Sequence, residues 1–181
     1  AHVARTLCPA DMDGEEAFLL ALLQSLGALL VRYHFAEEAE QIGRLVHPGP
    51  GGPRGMSEPA AACAVLGVEP EALALAVARH WGFEESILHA MRRISLDAPV
   101  RAPDHRGEVL RLVASAAVEA AASVREATPS AAAAVLTRVH QRYLRALVLA
   151  QGELAQALRN AQGVVDAPWP AALPSPLDAA A

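Results

Sequence analysis

A glutamine and a serine, Gln24 and Ser25, interrupt the apolar run FLLALLQSLGALLV that begins at Phe18. They are the first residues to test for chemistry, because a buried polar group needs a partner. A serine attacks only when a base activates it, and no G-x-S-x-G turn surrounds Ser25. Neither an amide nor an alcohol offers the carboxylate, imidazole or thiolate that a hard divalent cation or zinc prefers. The seven histidines are His2, His34, His47, His80, His89, His105 and His140. No two are three or four residues apart, the spacing that sets two ligands on one helix face. His34 and Glu38 have that spacing, but no second pair matches them. His80 is expected at a helix C-terminus, where a cation suits the dipole, and His89 on the partly polar side of its helix. Cys8 and Cys63 form no CxxC motif. Cys63, set among alanines, is expected to be a small buried hydrophobe. These residues imply no catalytic group, no cofactor and no metal site.

Composition says what positions them. The chain has 181 residues, 53% of them hydrophobic and 4% aromatic. A core of Ala, Leu and Val favours helices, and no period-two alternation suggests a sheet. The net charge is −5 and all fifteen basic residues are Arg. An acidic chain lacks the electrostatic footprint of nucleic-acid binding. Arg92-Arg93, the densest basic spot, reads as a solvated helix end. Two cysteines without a disulfide pattern or signal peptide imply a reducing, cytoplasmic setting. The apolar run 17–31 falls short of the roughly 20 residues of a membrane span, so it reads as a core helix and no membrane partner is expected.

Caps and breakers divide the chain. Helices are expected over 2–7, from Asp11 or Asp13 to Tyr33, over Ala36–Val46, from Ser57 to a Gly67 stop, from Glu69-Pro70 to Gly82, and over 84–94. Expected apolar faces are Ile42, Leu45 and Val46; Leu73, Ala76, Val77 and Trp81; and Ile87, Leu88 and Met91. The glycine- and proline-rich stretch 48–55 has no GK[ST] ending and no preceding strand, so it is a connector rather than a phosphate cradle. Two long helices follow over 104–127 and 130–150, with Thr128-Pro129 as cap and first turn, and a short one over 153–160. The short connection predicts an antiparallel pair. The fold class is therefore all-α: a bundle of about seven helices over residues 1–165 as one domain, with 166–181 as a flexible tail.

Three segments in order carry a resemblance: EEAFLLALLQSLGALLVRYHFAEEAEQI, SEPAAACAVLG and VARHWGFEESILHAMRR. Together they resemble the HDOD domain, a bacterial signalling module related to HD-type metal phosphohydrolases, over about residues 15–120. The resemblance implies an HD-like core, of which the usual N-terminal half is not visible here. Glu84 or Glu85 stands where the family usually has a proline. The catalytic relatives carry a metal-binding His-Asp pair where this chain has Gln24 and Ser25, and often a basic residue where it has Ala28. On that resemblance Gln24 and Ser25 are degenerate HD positions and Gly27 a close helix contact. The alternative for the polar pair is that each satisfies nearby backbone groups. The expected function is non-catalytic signal transduction through protein partners or an attached signalling domain. The alternatives are a divergent HD-type phosphohydrolase and a helical bundle that senses a small ligand.

Overall fold

A computed structural model describes residues 1–49, 52, 54–95, 99–125, 129–150 and 152–166. These residues form nine α-helices and one 3-10 turn, and among them there is no strand. The helices are α1 His2–Leu7, α2 Gly14–His34, α3 Ala36–Val46, α4 Glu58–Leu66, α5 Pro70–His80, α6 Glu85–Met91, α7 Arg106–Ala121, α8 Pro129–Leu147 and α9 Glu153–Val165.

Most boundaries follow the local signals. Asp13 caps α2 by accepting from the Glu15 backbone N–H, with Glu15 and Glu16 in the positive first turn. Ser57 caps α4 in the same way. Pro70 opens α5 at a position where its missing N–H costs nothing. Gly67 and Gly82 end α4 and follow α5 with φ of 71° and 81°, a left-handed turn that a side chain would strain. Several boundaries differ from expectation: α8 ends at Leu147 rather than 150 and α9 runs to Val165 rather than 160. α6 stops at Met91 rather than residue 94, and α7 starts at Arg106 with His105 as its cap, the ring accepting from the Glu108 N–H. The expected extension of α7 to 127 and the Thr128 cap fall on residues 126–128, outside the described residues. So does the tail from 167 onward.

The main core gathers α1, α2, α5, α6, α7, α8 and α9. α7 supplies its densest part, burying Leu112 through Ala117 and Ala120. Such small residues let helices approach closely, and the broadest contact in the fold is between α7 and α2. A second, smaller cluster joins Val31 of α2, Ile42 of α3 and Ala61 and Ala62 of α4.

α2 is longer than its apolar run. At 21 residues, it has the length and composition to cross a membrane. Here it packs against α1, α3, α5, α6 and α7. One face, with Ala17, Leu20, Ala21, Gln24, Gly27 and Val31, is buried. Leu19, Leu22, Leu29 and Tyr33 on the other face are exposed.

Apolar faces were harder to place than helices. α5 buries Ala74, Leu75 and Ala78 and leaves Ala76 and Trp81 exposed, with Leu73 and Val77 half-buried. This helix is apolar on several sides, so period alone did not choose the inner one. α6 buries Leu88 and Met91 but exposes Ile87. Cys63 is exposed, not buried. α4 turns Ala61 and Ala62 inward, and residue 63 lies about 100° further round the helix. His34 and Glu38 do not share a helix, because the chain breaks at Phe35 between α2 and α3.

The two long helices α7 and α8 pack together. Glu119, near the end of α7, meets Tyr143 and Arg142, late in α8. A simple hairpin would set Glu119 beside the first turns of α8, about 18 Å along the helix from Tyr143 at 1.5 Å per residue. The end of α7 therefore meets the later turns of α8 rather than its first.

Candidate functional site

Gln24 sits in the middle of α2 and faces inward, only 7% exposed. Its Nε2 donates to the carbonyl of Ala90 at 3.0 Å and, at 3.5 Å, to that of Arg111. Its Oε1 accepts from the Ser115 hydroxyl at 3.2 Å. One amide thus links α2 to α6 and α7. The Ala90 carbonyl lies in the last turn of α6, where no intrahelical N–H remains to bond it. α6 is only seven residues long, so its end needs outside partners.

Two more side chains supply them. Arg111 of α7 donates from Nε to the Arg92 carbonyl at 2.7 Å. The Arg93 backbone N–H donates to Glu71 of α5 at 2.9 Å. Three helices therefore grip the end of α6. Beyond it, Arg142 of α8 donates to the Ser95 carbonyl. The Arg92 and Arg93 side chains are exposed, as a solvated helix end should be.

Ser25 does something different. Its hydroxyl donates to the Ala21 carbonyl one turn back, at 2.9 Å. Such a bond satisfies the hydroxyl locally and ties it to no other helix. Gly27 has the most constrained place of all. A Cβ built there would lie 1.8 Å from the Pro70 carbonyl oxygen. Only a glycine lets α2 meet the first turn of α5 this closely.

Beside this node opens a cleft of about 700 Å³. Gln24, Gly27 and Ala28 line it from α2, with Pro70, Glu71 and Glu119 among the other walls. Glu119 is itself nearly buried, accepts from the Tyr143 hydroxyl at 2.6 Å and has the Arg142 guanidinium 3.8 Å away. Burial first, and then the bond and charge of Glu119, push the Tyr143 phenol well above its ordinary pKa of 10.0. The phenol stays a neutral donor.

The donor set does not fit a metal ion. The Gln24 amide nitrogen and oxygen both bond protein partners. Among the described residues, no three His, Cys, Asp or Glu side chains come together as a cation would need. Ser115, Arg111, Glu71 and Glu119 belong to this region and were not foreseen. Ser115 left a trace in the sequence, as a lone hydroxyl in the run VASAAV. Arg111 and Glu71 left none, since charged residues at those spacings also suit a solvated face.

Comparison with known proteins adds one match. The family model for the HDOD domain matches residues 1–95. No curated protein and no solved structure matches the chain. The matched stretch ends at Ser95, before α7. Arg111 and Ser115, which complete the node, lie beyond it.

Proposed function

The chain belongs to the HDOD domain family, and from that premise we propose that it is a non-catalytic regulatory module that acts through protein contacts. The carrying observation is the use made of Gln24. Where a catalytic relative would present metal ligands, this chain holds an amide whose donors and acceptor brace the end of α6 against α7. A residue spent on bracing is not free to hold a cation or polarise a phosphate. On this reading Gln24 and Ser25 are the remains of an HD site, and the scaffold carries the function. The partner is a protein, or a signalling domain attached to this one.

The test is direct. Elemental analysis of the purified chain should show no stoichiometric Mn, Fe, Ni or Zn. Phosphodiester hydrolysis should stay at background with each metal added. Stoichiometric metal together with hydrolysis that Gln24→Ala abolishes would make the protein a divergent HD-type phosphohydrolase instead.

One observation favours a second reading, a bundle that senses a small ligand. The cleft beside Gln24 has the volume of a ligand site. Native mass spectrometry separates the two readings. A small molecule retained by the wild type and lost from Ala28→Trp would favour sensing, and an unadorned mass favours the contact role.

A further inference from the structure

Leu19, Leu22, Leu26, Leu29 and Tyr33 follow one another along α2 at spacings of three, four, three and four residues. At 100° per residue they fall within an arc of about 80°, centred opposite the buried face. Leu19 is 57% exposed, Leu22 40%, Leu29 50% and Tyr33 84%. Leu26, between them, is half-buried. A single exposed leucine needs no explanation, but four exposed apolar residues along one face over four turns, on either side of a Leu26 packed on the core, do.

We propose that this stripe is a self-association surface, on which α2 of a second copy of this chain packs in antiparallel fashion. The spacing is that of a seam in which two helices interlock their side chains. A two-fold axis sets the same patch of each copy against the other, so one apolar stripe serves both partners. An antiparallel pair also opposes the two helix dipoles. Area points the same way. Roughly half the surface of each of these large side chains leaves on the order of 500 Å² of apolar area per copy. Two copies then bury up to about 1,000 Å², the lower threshold for a specific contact, before any polar rim is added. Ser25 lies on the flank of the stripe with its hydroxyl already bonded to Ala21. Closing the seam therefore strands no donor there.

The inference rests on the contact-mediated role proposed above and names its partner, but it fails separately. The experiment is sedimentation equilibrium of the chain from low to high micromolar concentration. Wild type should shift from monomer to dimer. The double variant Leu22→Glu, Leu29→Glu should raise the dissociation constant at least tenfold, with its circular dichroism and thermal transition retained because both side chains are exposed. Trp81→Glu, which changes an exposed aromatic at the C-cap of α5 outside the stripe, should leave the dimer intact. A monomer at every concentration, or a dimer indifferent to the double variant, would overturn the proposal. Either result would leave the non-catalytic reading standing, since that reading falls only on metal content and hydrolysis.

Discussion

The large cluster around α2 and α7 and the small one between α3 and α4 draw on the same aliphatic residues, yet they are held differently. Of the three buried polar side chains among the described residues, Gln24 and Ser115 lie on helices of the large cluster, and Ser123, in the 3-10 turn after α7, bonds the carbonyl of its Ala120. Two of them bond each other, and Gln24 also bonds carbonyls far away in sequence. The small cluster has four buried residues, two of them alanines and none polar, and beside it the Met56 backbone N–H donates to the Leu45 carbonyl. Apolar burial is non-directional and tolerates sliding. Hydrogen bonds to particular carbonyls do not, so the buried Gln24 side chain fixes the arrangement at α6, whereas the small cluster buries no polar side chain to do the same.

The contrast can be broken most forcefully at Gly27. Gly27→Ala drives a methyl into the Pro70 carbonyl, and α2 and α5 must part. A loss of about 3 kcal/mol in chemical denaturation is expected, despite the better helix propensity of alanine. Next is Gln24→Leu, nearly the same size. It leaves the Ala90 carbonyl and the Ser115 hydroxyl without their partner, for about 2–3 kcal/mol. Hydrogen exchange should show α6 opening first. An unchanged α6 would mean that the brace holds nothing.

In the small cluster, Ile42→Ala should cost about 2 kcal/mol. The distinguishing sign is its reach: exchange protection falls in α3 and α4 while α7 keeps its own. Loss of protection in α7 would show that the two clusters unfold as one. The buried phenol gives a pH test of the large cluster. Tyr143 has a raised pKa when folded, and the unfolded chain ionises it from about pH 10. Stability is therefore complete below that pH and declines above it, by up to about 1.4 kcal/mol per pH unit. Tyr143→Phe should flatten the decline. The smallest effect is expected at Ser25→Ala, within about 0.5 kcal/mol, because its bond to Ala21 only competes with the helix. A large loss there would give Ser25 a role the local bond does not explain.

Much of the fold was legible along the chain. Asp13, Ser57, Pro70, Gly67 and Gly82 mark helix ends by local chemistry, and each does so in the structure. The tight contact at Gly27 could be anticipated, because a glycine inside a helix is costly unless something needs the space. The inner faces were another matter. Trp81 and Cys63 were expected inside and are exposed, since helices apolar on several sides offer no contrast for periodicity to detect. The partners of Gln24 lie 66 to 91 residues away. Nothing near Gln24 in sequence distinguishes a brace from the remnant of a metal site.

By itself, then, the order of residues settled where most helices start, that no sheet forms among the described residues, and that the chain is of the HDOD kind. Caps, turns and propensities act within a few residues, so they can be read locally. Only the folded arrangement decided which side of α2 is core, which carbonyls the Gln24 amide holds, and which leucines stay in water. Those outcomes depend on the distances between segments far apart in the chain, and such distances exist only once the helices have packed.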